Sequence, residues 1–264
     1  MTVQNTTSGV LSRVRSALAR DFRAVRERDP ALHSPLELLM YQGLHAVWIH
    51  RLGHALYRAD MKVGARLVSQ VGRFLTGIEI HPGATLGNGV FIDHGMGVVI
   101  GETAEVGDDV TIYQGVTLGG TGKQGGKRHP TIGDRVVVGT GAQVLGAITV
   151  GEDAKIGAGS IVVRDVPPRS TVVGNPGRPV IIDGRKVAPD DANGRLERLP
   201  DPVADVFRSL MDCIERLDAE VKVLREGGTP PPRIPGADCM GRAERQVKAL
   251  TQDEPMFYGD GAHI

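Results

Sequence analysis

The chain keeps a six-residue beat from Ile80 to Val162. Aliphatic residues or alanine stand at Ile80, Leu86, Ile92, Val98, Ala104, Val110 and Val116, and again at Ile132, Val138, Val144, Val150, Ile156 and Val162. The beat misses once, between Val116 and Ile132, where a sixteen-residue step leaves ten residues over. A period of six fits neither an amphipathic helix nor a half-buried strand. It fits a parallel β-helix, in which three short strands make one triangular coil and each hexapeptide supplies one strand. The inward aliphatics stack from coil to coil and bury a core that no single repeat could bury alone. The position four further on is also small or apolar (Ala84, Val90, Met96, Ala142, Ile148, Ala154, Ser160), as a narrow prism requires. The residues left over lie in the Gly-rich, basic loop 119–130. A polar loop ejected from a regular scaffold is where chemistry is expected.

Composition narrows the partners. Lys plus Arg and Asp plus Glu both number 31, so the chain has no net charge, which argues against a nucleic-acid or anionic-membrane binder. No apolar run is long enough to span a bilayer, and the first residues lack the basic and apolar regions of a signal peptide. Cys213 and Cys239 have no metal-site or disulfide-framework spacing, so a reducing cytoplasm is expected.

The expected fold class is α+β: a helical domain, a parallel β-helix, then a helix and a flexible tail. Residues 1–77 read as helical. Leu11, Val14, Leu18, Phe22 and Val25 recur at helical spacing and Asp29-Pro30 breaks the run. Ser34-Pro35 then opens a stretch from Leu36 to Tyr57 that reads as one buried helix or a bent pair. Another helix is expected over Val63–Leu75, stopping at Gly77. The β-helix takes 78–180, since Gly174 to Pro179 suits neither helix nor ladder pairing. After a connector at 181–200, residues 201–227 place Val203, Val206, Leu210, Cys213, Leu217 and Leu224 at heptad spacing, interrupted by Glu220. That is a trimeric coiled coil or a helix lying on its own subunit. Residues 228–264 form a tail behind a Pro-rich linker.

Three polar groups stand out: Glu79 to Pro82, Asp93-His94-Gly95 with Gly101-Glu102-Thr103 close behind, and Arg128-His129 in the loop. In a stacked prism they must face outward, because an unpaired inward carboxylate is very costly. His94 follows the inward Ile92 by two places, so it belongs on an outer face. Counting in eighteen-residue coils puts Glu79 three residues from the position stacked on His94. A carboxylate beside an imidazole fixes its tautomer and suits it to act as general base on a hydroxyl. Arg128 offers a bidentate donor for a carboxylate. The Gly-rich loop lacks the spacing of a Walker phosphate loop.

These residues resemble the serine O-acetyltransferase family over about residues 20–180. The resemblance rests on Arg28-Asp29-Pro30-Ala31, Glu79-Ile80-His81-Pro82, Asp93 to Thr103, Val116 to Lys123, Arg128-His129-Pro130 and Gly174 to Arg178. It implies a left-handed β-helix and direct acetyl transfer from acetyl-CoA to the L-serine hydroxyl, without a metal, as the first step of cysteine biosynthesis. His94 matches the catalytic base and Glu79 its partner acid, which is Asp in many members. Asp29, Asp93, Arg128 and His129 match serine-site residues. Gly120, Thr121, Thr140, Lys155 and Ala158 match positions along the coenzyme A groove. The resemblance further implies homotrimers, often paired into hexamers, with active sites between neighbouring prisms and L-cysteine as inhibitor. It also implies a tail whose terminal Ile264 inserts into O-acetylserine sulfhydrylase. Three alternatives stay open: an acetyltransferase with a homoserine or sugar acceptor, a γ-type carbonic anhydrase with zinc on His81, His94 and His129, and a non-enzymatic scaffold that regulates the sulfhydrylase.

Overall fold

The first helix is longer than its apolar spacing suggested. In the computed structural model, which describes residues 4–34, 36–122, 125–187 and 202–228, α1 runs Gln4–Arg28. Its Asp21 is fully buried, a costly place for a carboxylate. It is compensated there by Arg51 at 2.9 Å and by the backbone N–H of Gly89 at 3.0 Å. The stretch 36–57 is a 3-10 turn, Glu37–Met40, followed after the extended Tyr41 by α2, Gln42–Arg58. Helix α3, Lys62–Thr76, stops at Gly77, whose φ of +70° and N–H bond to the Arg73 carbonyl make a left-handed cap. Helices α2 and α3 pack closely where Gly72 of α3 leaves room for the Ile49 side chain of α2. A Cβ on Gly72 would lie 2.9 Å from Ile49.

The solenoid follows. Its first coil holds β1 (Glu79–Ile80), β2 (Thr85–Leu86) and β3 (Phe91–Asp93), and its second β4 (Val99–Ile100), β5 (Glu105–Val106) and β6 (Thr111–Tyr113). Next come β7 (Thr117–Gly119), β8 (Thr131–Ile132) and β9 (Val137–Val138), then β10 (Gln143–Leu145), β11 (Thr149–Val150) and β12 (Lys155–Ile156). It closes with β13 (Ile161–Val162), β14 (Ser170–Val173), β15 (Arg178–Ile182) and β16 (Arg185–Lys186). Strands β1, β4, β7, β10 and β13 form face A; β2, β5, β8 and β11 form face B; β3, β6, β9, β12 and β14 form face C, which β15 and β16 extend. Within the prism all pairing is parallel, while β14–β15–β16 is antiparallel. The segment judged unfit for a ladder therefore joins one: Pro179 sits opposite Val172, at a bulge where the register shifts.

The ladder corrects the count of the repeat. Ile80 stacks on Ile100 and Ile92 on Ile112, an advance of twenty residues. Ile100 then stacks on Leu118, an advance of eighteen. Val106 stacks on Ile132 and Ile112 on Val138, an advance of twenty-six, or eight more than the eighteen that separate Ile132 from Val150. Between Ile80 and Val162 the described ladder has two interruptions, not one; beyond Val162 it shortens, since Ile156 stacks on Val172, an advance of sixteen. The loop accounts for eight extra residues rather than ten, and two more lie between Ile92 and Ile100. Between Val98 and Val116 the sequence beat follows a second buried row, two places before the strand-centre row Ile100, Val106, Ile112 and Leu118. Both rows are buried, which is why the slip is silent. Met96, expected inside, is 63% exposed, and Val98 takes the inward place.

The chain divides into two compact units, residues 1–195 and 196–264. In the second, α4 runs Pro202–Arg225. Val206 and Cys213 of the expected seam are buried, so that row is not the open one. Cys213 takes part in a disulfide that the cysteine spacing did not announce. Among the described residues no helix is long and apolar enough to cross a membrane. Most of the expected connector and the tail with Ile264 lie outside the described residues.

Candidate active site

The shorter interruption sits at the edge between faces C and A, and it carries His94. Two extra residues make that corner bulge. His94 takes a left-handed φ of +57°, and Gly95 and Gly97 follow at +69° and +75°. Gly95 suits this place, since its φ is left-handed and a Cβ there would lie 2.5 Å from the buried Ile78 side chain, which would have to shift. Below, Gly97 donates to the Gly77 carbonyl at 3.0 Å; above, Gly115 donates to the Met96 carbonyl at 2.9 Å. The bulge is thus pinned on both sides while the His94 side chain stands 75% exposed.

Glu79 opens the same coil that His94 closes, so the two belong to one edge rather than to adjacent coils. The expected Glu79–His94 pair is nevertheless not formed in this protomer. Arg73, in the last turn of α3, takes the Glu79 carboxylate at 3.2 Å. The acid beside the imidazole is Asp93, with Oδ1 3.9 Å from Nε2. Asp29 closes a turn by accepting the Ala31 N–H at 2.8 Å, just past the end of α1. Among the described residues no hydrogen bond joins Asp29 to Asp93 or His94.

The longer interruption sits at the edge between faces A and B. Thr103 organises it. Its hydroxyl oxygen accepts the backbone N–H groups of Arg128 (3.0 Å) and His129 (3.1 Å). Its own N–H donates to His129 Nδ1 at 3.2 Å. With Nδ1 accepting, the ring proton belongs on Nε2. Burial, then the neighbouring Arg128, holds His129 below the ordinary imidazole range, which keeps it neutral. The Cδ2–Nε2 side of its ring fills the space beside Gly101, where a Cβ would come 2.0 Å from Cδ2. Glu102 is clamped from two directions, by Arg128 Nη2 at 2.6 Å and by the Tyr57 hydroxyl of α2 at 3.1 Å. Arg128 first, and Tyr57 as well, hold the Glu102 carboxyl below the usual carboxylate range. His81, on this edge beneath Glu102, is lowered to about 4 by burial and then by Arg66.

The expected coenzyme positions divide between the two edges. Thr140 and Ala158 stack on the same edge as His94: Gly141 donates to the Gln114 carbonyl and Gly159 to the Thr140 carbonyl, at 2.9 and 2.8 Å. Lys155 is exposed on face C, three residues before Ala158. Gly120 and Thr121 belong to the loop edge, where Thr121 reaches the turn at Gly146. One chain therefore presents two half-sets, His94 with Thr140 and Ala158 on one edge, and Arg128 and His129 with Gly120 and Thr121 on the next. The same division separates His94 from His81 and His129. Among the described residues no group of three or more His, Cys, Asp or Glu could hold a metal ion. Sequence reasoning named Glu102 and Thr103 among the polar groups without giving them roles, and it missed Arg73 and Tyr57. Glu102 and Thr103 sat inside a quoted motif, whereas nothing in the sequence marks Tyr57 or Arg73.

Residues 129–164 match the family model for the bacterial transferase hexapeptide (six repeats). The chain is 59% identical over 210 residues to the serine acetyltransferase of Bacillus subtilis, a match that covers 79% of this chain and 95% of that protein. A serine acetyltransferase of Neisseria gonorrhoeae, solved in complex with serine, superposes with a TM-score of 0.62 at 46% identity, covering 64% of this chain and 70% of that one. One from Brucella abortus, solved with coenzyme A, gives 0.63 at 44% identity, covering 67% and 71%. A third, solved with cysteine, gives 0.62 at 43% identity over 63% and 69%. Identity of this extent across nearly the whole of a curated relative shows that the chain belongs to the serine acetyltransferase family.

Proposed function

We propose that the chain transfers an acetyl group from acetyl-CoA to the hydroxyl of L-serine, at a site shared by two copies. The observation that carries this reading is the division of the site residues between two edges of one prism. A neighbour whose loop edge meets the His94 edge would supply Arg128 and His129, and a trimer of prisms makes three such grooves by rotation. His94, lifted clear by the bulge, takes the proton from serine Oγ. The oxygen bonds to the thioester carbonyl carbon, the carbon–sulfur bond breaks, and the protonated imidazole returns the proton to the coenzyme A thiolate. Glu79 orients His94 once its carboxylate leaves Arg73. The free edge of the Arg128 guanidinium, which Glu102 holds in place, receives the serine carboxylate, while Asp93 and Asp29 receive the ammonium. Thr140, Lys155 and Ala158 line the arm of the coenzyme along one edge, and Gly120 and Thr121 cover it from the other.

Cysteine, which differs from serine by sulfur in place of the hydroxyl oxygen, fits the same carboxylate and ammonium sites, so competitive inhibition by the end product follows. A relative solved with cysteine supports this. Assembly beyond the trimer, capture of a sulfhydrylase by Ile264 and a cytoplasmic location belong to the same reading. The test is release of free thiol from acetyl-CoA with serine, homoserine or a galactoside as acceptor. Serine-dependent release that falls about a thousandfold in His94→Ala supports the assignment. Near-normal turnover in that variant contradicts it.

A further inference from the structure

Helix α4 carries an apolar row that is largely exposed among the described residues. Phe207, Ile214 and Val221 recur every seven residues, and Leu210, Leu217 and Leu224 stand three places after each. Leu210 is half-buried, whereas Phe207 is 63%, Ile214 57%, Leu217 41%, Val221 44% and Leu224 57% exposed. The row is displaced from the interrupted one that the sequence suggested, because Val206 and Cys213 are buried. It has no interruption: all six of its a and d positions are apolar. Asp212, Glu215 and Lys222 occupy the outer side. A helix that packs on an irregular surface has no need of a strict three–four alternation. A second helix with the same repeat, crossing at a shallow angle, does need it.

The chemistry of the row selects the partner. Ile214 and Val221 are β-branched at a, and the d positions are all leucine, the combination that favours parallel pairing of two strands. In parallel register Glu220 at g falls opposite Arg225 at e of the facing helix, a pairing of opposite charges. We infer that α4 is a self-association element, which zips in parallel register onto α4 of a second copy of this chain through Phe207, Leu210, Ile214, Leu217, Val221 and Leu224. A seam of about two and a half heptads is short for an isolated coiled coil. Any assembly through the solenoid raises the local concentration of α4 and helps it to close. The inference does not rest on the acetyl-transfer reading.

The test uses the full chain with Val221→Cys, oxidised mildly and resolved without reductant. A parallel, in-register seam brings the two Val221 positions face to face, so a covalent dimer is expected in at least tenfold higher yield than from Ala219→Cys on the outer side. Both variants carry the same native cysteines, so disulfide exchange affects them alike. Adding Ile214→Asp to Val221→Cys should abolish the dimer while the thermal unfolding of the solenoid stays unchanged. Equal yields from Cys at 221 and 219, no dimer from Val221→Cys, or a yield indifferent to Ile214→Asp each overturn the inference.

Discussion

The two interrupted edges of the solenoid solve one problem at different scales. At the edge of faces A and B, eight extra residues leave the prism and are held to it by hydrogen bonds, with Thr103 as the hub and Glu102 as the clamp on Arg128. At the edge of faces C and A, two extra residues never leave. They swell one corner, pinned by Gly97 to Gly77 below and by Gly115 to Met96 above. The long insertion gains reach and many side chains. The short one gains accuracy, because a left-handed His94 between fixed neighbours has few ways to move. A base that must meet one proton is better placed on the second kind of support, and groups that must close over a ligand on the first.

The difference can be broken most sharply by removing the short insertion. Deleting Gly95 and Met96 restores an eighteen-residue coil. The account expects a chain that still melts cooperatively but loses at least a hundredfold in turnover, read by thiol release and by the circular-dichroism melt. Retained turnover would mean that the bulge does not position His94. Within the long insertion, Gly101→Ala puts a methyl group 2.0 Å from the His129 ring, whereas nothing lies within 4 Å of a Cβ on Gly125. Gly101→Ala should raise the KM for serine about tenfold with a smaller fall in kcat, and Gly125→Ala should leave both near the parent values. A weaker effect is expected from loosening the clamp. Glu102→Gln should raise the KM for serine several-fold, and Tyr57→Phe about twofold, with kcat close to unchanged in each.

The smallest effect on turnover, though not on stability, comes from two imidazoles held neutral against the loop side of the molecule. Burial is the main cause that lowers His50 to about 3, helped by His54 and Arg51, and His81 to about 4, helped by Arg66. Both lie below the ordinary value near 6.5, so in the window between them the unfolded chain binds more protons and stability falls as pH falls. His50 alone contributes on the order of 2 kcal/mol of this loss at pH 5. The urea midpoint should drop between pH 7 and pH 5, and His50→Gln should flatten that slope. An unchanged slope would show that His50 is protonated in the native state.

How much of this the sequence discloses depends on whether an interruption disturbs the aliphatic period. The long one does, because the Gly-rich, polar loop 119–130 breaks the beat between Val116 and Ile132. The short one does not, because a slip of two carries the count from Ile100 onto Val98, and both residues are fully buried. For the same reason the eighteen-residue count put Glu79 and His94 on neighbouring coils, although they open and close a single coil. The residue types at the site were legible from the motifs that hold them. Arg73 on Glu79 and Tyr57 on Glu102 were not, since each reaches the site from a helix whose spacing shows only an apolar face. On α4 the heptad was visible, but the choice of exposed row depends on which side is buried, and Val206 and Cys213 decide that only in three dimensions.

The central claim is that His94 from one copy and Arg128 from another complete each site. Mixing unfolded His94→Ala and Arg128→Ala chains in equal amounts and refolding them together tests it most directly. Each variant alone should be nearly inactive. Random trimers should recover about a quarter of the parent activity, since one groove in four then joins an intact His94 edge to an intact loop edge. Mixed trimers that form but stay as inactive as either variant alone would contradict the account.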